Sequence, residues 1–293
     1  MINDNSYPWN FLGLERELSD CKSSKVAVLP IPYEGTVSYK KGTKLAPHAI
    51  IDASRQVETY DRDLDSEPCS VGIATLDEVD SAAVSPKEMM DRIESIAGPI
   101  LNDDKFLLTL GGEHSITGPI VKTHKSKYKD ISVLQIDAHS DLRDEYQGSP
   151  YSHACVMSRV WQHCEFVSVG IRSFCGSDNE KRAWSENRIF TPEEYRSNRD
   201  SVSKILSMLT DHVYITVDLD GFDPSVIPAV GTPEPGGLLW HEVLNLIKQV
   251  GREKEIVGAD VVELSPITGM IHPDFTAALL AYKIIGIAFN RKE

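Results

Sequence analysis

The 293-residue sequence has no apolar run near the length of about 18 residues that spans a bilayer. Its opening stretch, MINDNSYPWNFLGLERELSD, has neither the basic n-region nor the apolar h-region of a secretory signal. Cysteine is scarce: Cys21, Cys69, Cys155, Cys164 and Cys175 make an odd count with no Cys-x-x-Cys pair. That excludes a thiolate zinc cluster or a disulfide framework and reads as reduced thiols in a cytoplasmic protein. Positive charge is also short, with 30 Lys and Arg against 44 Asp and Glu, a formal net charge of −14. This balance argues against a nucleic-acid partner and suits solubility or a cationic ligand. No stretch rich in Pro, Gly or Ser divides the chain, and no repeat of solenoid period occurs, so residues 1–293 read as one domain.

Short apolar, β-branched runs recur at 25–31, 105–110, 131–137, 165–171, 212–220 and 255–264. They are too continuously apolar for strands with one wet face, which predicts a parallel sheet covered on both sides. Between them lie helical patterns at 46–60, 85–101, 191–209, 240–250 and 273–290. Ser85-Pro86 and Thr191-Pro192 are start signals, a capping hydroxyl followed by proline in the first turn. Strands alternating with helices predict an α/β fold, a doubly wound three-layer αβα arrangement around a mostly parallel sheet.

The chemistry gathers where strands stop. Asp137-Ala138-His139-Ser140-Asp141 follows the run ISVLQI, and if the strand continues, residues 137, 139 and 141 share one face. Asp218-Leu219-Asp220 ends another strand in the same manner, closed by Gly221 and Asp223-Pro224. A third strand runs into Gly111-Gly112-Glu113-His114, where the glycines are expected to bend the backbone and set His114 over the sheet. Ligands in open parallel sheets bind beyond the carboxyl ends of strands. Four carboxylates crowded there repel one another unless cations neutralise them, and only Arg143 and Arg172 stand near enough in sequence to do so. With two imidazoles and no thiolate, the set suits Mn²⁺, with Fe²⁺, Co²⁺, Ni²⁺ or Zn²⁺ as substitutes. Six ligands are many for one catalytic ion but enough for two that share carboxylates.

Taken together, GGEHS, DAHSD and DLDGFDP resemble the ureohydrolase (arginase/agmatinase) family, manganese enzymes that hydrolyse guanidino groups to urea and an amine. The resemblance extends over GTVSYKKGTKLAPHAIIDAS, SPYSHACVMSR, VGIRS, GTPEPGGL and DVVELSP, nearly the whole chain. It implies two Mn²⁺ per chain, one held by His114, Asp137, Asp141 and Asp218 and the other by His139, Asp137, Asp218 and Asp220. It also implies catalytic roles for His153 as a proton donor or shuttle, Glu263 as the carboxylate that orients the guanidinium, and Asp220 as a proton acceptor. Taken alone, His153 reads as a helix-start or surface histidine and Glu263 as a salt-bridge partner. Trimers or hexamers are implied by the resemblance only.

Arginases read the amino-acid end of their substrate with an Asn/Ser-bearing loop after the DxHxD motif. Here that loop is LRDEYQGSPYSH, and its acidic Asp144 and Glu145 fit a substrate ending in an amine. Glu145 is therefore the expected substrate-binding residue beside His153 and Glu263. The same two acids pairing with Arg143 or lysines is the competing reading. Agmatine or an agmatine-like polyamine is the expected substrate; aminopropylagmatine, guanidinobutyrate, arginine, or a catalytically degenerate metal- or polyamine-binding protein are the alternatives. Ile267-Thr268-Gly269 replaces the acidic residue common in agmatinases, which leaves room for a longer tail. Metallophosphoesterases and single-metal deacylases do not fit, since GDxxD, GNH and His-His elements are lacking.

Overall fold

The long apolar runs become strands because each can bury both of its faces. The computed structural model describes residues 9–290. Eight strands form one sheet: β1 (Val26–Ile31), β2 (Ile73–Thr75), β3 (Phe106–Gly111), β4 (Ile131–Ile136), β5 (Phe166–Val169), β6 (Ile189–Phe190), β7 (His212–Asp218) and β8 (Glu255–Val262). Their order is β2-β1-β3-β8-β7-β4-β5-β6, and every pairing is parallel. The helices are α1 (Arg16–Ser19), α2 (Ala46–Ser54), α3 (Pro86–Asn102), α4 (Thr117–Lys127), α5 (Val156–Trp161), α6 (Asp178–Ser185), α7 (Pro192–Ser197), α8 (Ser201–Met208), α9 (Trp240–Glu253) and α10 (His272–Phe289).

Alternate residues of each strand feed two separate cores. Val26 and Val28 of β1 pack on the side of α2, α8, α9 and α10, together with Leu134, Ile136, Val213 and Ile215. Ala27, Leu29 and Ile31 pack on the other side with α3, α4 and α5, together with Ile131, Val133 and Tyr214. The result is three layers, with helices on both faces of the sheet. No helix among the described residues is long and apolar enough to cross a membrane.

Several expectations change in detail. The sheet is wholly parallel, and the two short edge strands β2 and β6 escaped a reading based on long apolar runs. The pattern at 191–209 is two helices, because the chain breaks at 198–200, where Asn198 Oδ1 accepts from Asp200 N at 2.9 Å. The 46–60 helix stops at Ser54, whose hydroxyl bonds the Ile51 carbonyl. Ser85 does cap α3, in a reciprocal box with Glu88.

Candidate metal centre

The strand order sets the carboxyl ends of β3, β8, β7 and β4 side by side in the middle of the sheet. These four ends deliver His114, Glu263, Asp218 with Asp220, and Asp137 with His139 and Asp141. The segments concerned are turns and not extended combs. β4 ends at Ile136, the His139 N–H donates to Asp137 Oδ1 at 2.6 Å, and Asp141 has a φ of 52°. Likewise Asp218 Oδ1 accepts from Asp220 N at 2.9 Å as residues 219–221 form a helical turn. Each aspartate folds the chain back over its own strand end, so ligands converge that an extended strand would space apart. Gly221 permits the two turns to touch, since a Cβ there would meet Asp137 N at 2.7 Å. The Gly111-Gly112 pair also works by space, not by bending: neither has a positive φ, and a Cβ on Gly112 would meet the Tyr33 carbonyl at 2.0 Å.

His114 is wholly buried, and its Nδ1 lies 3.2 Å from Asp137, 3.2 Å from Asp141 and 3.3 Å from Asp218. It meets none of them in hydrogen-bonding geometry. The other ring nitrogen, Nε2, is 2.8 Å from Thr216 Oγ1, which donates to Asp260 Oδ1 at 2.6 Å. Tyr214 and Thr117 also donate to Asp260, each at 2.8 Å. Thr216 has one proton and gives it to Asp260, so Nε2–H of His114 must be the donor to Thr216. Nδ1 is then left as the nitrogen that faces three carboxylates. Burial opposes charge on this ring, but the three aspartates outweigh it and hold the imidazole well above its ordinary range. That nitrogen requires either a proton or a cation, and a divalent ion fits the donor set.

His139 repeats the situation beside it, with Nδ1 3.0 Å from Asp220 Oδ2 and 3.7 Å from Asp137 Oδ1. Burial lowers it, but Asp220 and Asp137 push it up to about 11. Burial and repulsion from Asp141 and Asp220 push Asp137 up to about 7. Burial also raises Asp218, aided by Asp220 and Asp137. Asp220 resists its burial because His139 holds it below the usual carboxylate range. Two groups of ligand atoms result, His114–Asp137–Asp218 and Asp137–His139–Asp220, each within 4.8 Å, and Asp137 belongs to both. Asp218 falls in the first group alone. Neither arginine forms an ion pair with the cluster: Arg172, though close enough to feel the charge of Asp220 and Asp137, donates to the carbonyls of Gly170, Asp220, Gly221, Phe222, Glu234 and Pro235. Arg143 lies over the Tyr146 ring at 5.0 Å.

Above this floor opens a cavity of about 210 Å³ lined by His139, Asp141, Asp218, Asp220, His153 and Glu263 among others. Glu263 has a φ of 66° and accepts from the His114 N–H at 2.7 Å, so a strained residue after β8 aims its carboxylate inward. Burial and the neighbouring Glu113 raise its carboxyl well above the ordinary range. His153 begins the turn before α5, and its Nδ1 is 3.1 Å from Thr36 Oγ1.

An arginase family model matches residues 24–287. The chain belongs to the arginase family. It is 37% identical to an N(1)-aminopropylagmatine ureohydrolase of Synechocystis over 96% of this chain and 94% of that one. It is 34% identical to an agmatinase of Pyrococcus horikoshii, covering 96% and 98% respectively. The solved agmatine ureohydrolase of Thermoplasma volcanium superposes with a TM-score of 0.87 at 30% identity, over 98% of this chain and 96% of that one.

As an arginase-family hydrolase, the protein departs from its sequence reading at the loop after DAHSD. Glu145 is exposed and is not among the residues lining the cavity. Asp144 accepts from Asn179 at 2.8 Å and pairs with Arg159 at 3.6 Å, so it too is occupied outside. Arg143 and Tyr146 of that loop line the cavity instead. The sequence reading also passed over Thr216, Asp260 and Gln135, whose amide donates to Asp137 Oδ2 at 2.7 Å. A signal existed for all three: each is a polar side chain inside an otherwise apolar strand. Thr36 carried no such signal.

Proposed function

We propose that this arginase-family protein is an agmatinase-type ureohydrolase. It adds water across the guanidino carbon of agmatine, or of an agmatine-like polyamine such as aminopropylagmatine, and releases urea and an amine such as putrescine. The observation that carries this reading is the pair of buried ligand groups sharing Asp137 on the floor of a cavity walled by Glu263 and His153. His114, Asp137, Asp141 and Asp218 would hold one Mn²⁺, and His139, Asp137, Asp218 and Asp220 the other. Bound there, such ions supply Lewis acidity and bring the pKa of a water toward neutrality.

The chain's own residues do the rest. Glu263, fixed by the His114 N–H, accepts guanidinium N–H bonds and holds the planar group face-on over the floor. Asp220, kept ionised by His139, accepts the proton that water loses on attack. His153 on the wall acts as a shuttle: its cavity-side nitrogen takes up a proton from solvent and passes it to the departing amine, so that the leaving group is neutral. The net acidity of the protein favours cationic substrates by long-range attraction. Relatives named for agmatine (34% identical) and for aminopropylagmatine (37% identical) keep both tails in view, and the longer tail has the more similar relative. We further propose a cytoplasmic homo-oligomer of single-domain subunits.

The test is urea release from agmatine, aminopropylagmatine, guanidinobutyrate and arginine, each with Mn²⁺. The amine-tailed substrates are expected to lead. Arginine or guanidinobutyrate as the best substrate would overturn the tail assignment, and metal binding without urea from any of the four would point to a non-catalytic polyamine binder.

A further inference from the structure

Glu113 is completely buried directly before His114, and the ligand groups leave it unused. Its carboxylate collects four donors: Gly35 N at 2.7 Å, and Thr36 N, Thr36 Oγ1 and Ser115 Oγ at 2.6 Å each. Thr36 Oγ1 is therefore committed as a donor to Glu113. Toward His153 it can only accept, and it does so twice, from the His153 backbone N–H at 3.0 Å and at 3.1 Å from ring Nδ1. For this contact to be a hydrogen bond Nδ1 must carry the proton, and it outranks the longer contact of Nδ1 with Ser152 Oγ at 3.5 Å. That leaves Nε2 as the lone-pair nitrogen of the neutral ring, available to the cavity that His153 lines.

We infer that Thr36 and Glu113 are positioning residues for proton transfer: they lock His153 in its Nδ1–H form and hold the ring against the cavity wall. The inference rests on the hydrolytic role proposed for His153. The geometry also explains the path of the chain after β1. Glu113 fastens the 35–36 backbone to the end of β3, so the hydroxyl that orients the histidine is anchored by the same carboxylate.

Thr36→Val separates the relay from the anchor. Valine keeps the branched shape and leaves Glu113 three of its four donors, while the ring and backbone N–H of His153 lose their acceptor. With the best substrate and saturating Mn²⁺, kcat is expected to fall about 10–100-fold, less than the roughly 10²–10⁴-fold of general acid–base catalysis because the histidine itself remains. KM and the number of bound ions should stay within about twofold, and Thr36→Ser should restore most of kcat. Equal losses in Thr36→Ser and Thr36→Val, or a change confined to KM, would overturn the relay.

A second readout does not depend on turnover. In Zn²⁺-loaded protein with ¹⁵N-labelled histidine, the ring signals of His153, identified by their absence in His153→Gln, should report the Nδ1–H tautomer. Thr36→Val should convert them to an Nε2–H or mixed pattern. Unchanged signals would refute the relay even if the parent protein proves inactive on guanidino substrates. Conversion of the signals by Thr36→Val, with no urea release from the parent protein, would uphold the relay and discard the proposed reaction.

Discussion

Two histidines of this protein stand in the same kind of chain and present opposite nitrogens. His114 on the floor leans through Nε2 on Thr216 and Asp260, which leaves Nδ1 to three aspartates. His153 on the wall leans through Nδ1 on Thr36 and Glu113, which leaves Nε2 to the cavity. In both, a threonine gives its single proton to a buried carboxylate and so can only accept from the ring. What differs is the surroundings. The floor relay is wholly enclosed, and Asp260 collects three hydroxyls from β7 and α4. The wall relay is half-buried and runs through a loop. The first suits a fixed ligand and the second a group that exchanges protons with substrate and water.

The comparison breaks most completely at Asp137, which both ligand groups share. Asp137→Asn should abolish urea release from every substrate and remove tight binding of both ions, read by metal analysis after dialysis. Substantial turnover would contradict the shared position. Next in size is the floor relay: Thr216→Val or Asp260→Asn should weaken one of the two ions about 10–100-fold and spare the other. Titration calorimetry would show two classes of site where the parent has closely spaced ones, and equal weakening of both would mean that the relay does not act on His114 selectively. Removing metal from the parent should expose the repulsion among the four aspartates. Returning Mn²⁺ at ~100 times its Kd should raise Tm by about 5 °C for each ion bound, whereas a thermal scan of Asp137→Asn should show almost no rise. The smallest effect is expected at Glu145, since it is exposed and away from the cavity. Glu145→Gln should change kcat/KM by no more than about twofold, the scale of ordinary surface substitutions. A larger drop confined to amine-tailed substrates would restore that residue to the tail site.

Much of the fold was legible because its signal is local. Strands buried on both faces must be continuously apolar, and six of the eight were found that way; β2 and β6 are too short to stand out. The site was legible for a similar reason, in that charge at the end of an apolar strand has few uses. Its geometry was not. The spacing of DAHSD suggests an extended comb, but Asp137 and Asp218 each capture a backbone N–H two residues on and curl the chain. Such side-chain capture competes with strand continuation and depends on what packs behind, here Gly221 against Asp137. In the loop at 142–153 the two acidic side chains do not line the cavity, because charge in sequence does not say which way a side chain turns. Asn179 and Arg159 draw Asp144 outward, and both are remote in the chain.

The sequence by itself determined the layered parallel sheet, the residue types of the metal centre and their place at strand ends, because periodicity and composition are properties of neighbours along the chain. Only the tertiary structure decided that four particular strand ends adjoin, that Asp137 serves both ligand groups, and which nitrogen each histidine offers. Those outcomes depend on hydrogen-bond partners some 80 to 150 residues apart, such as His114 with Thr216 and Glu263. No local pattern encodes a proton's position on an imidazole; the partner across the fold does.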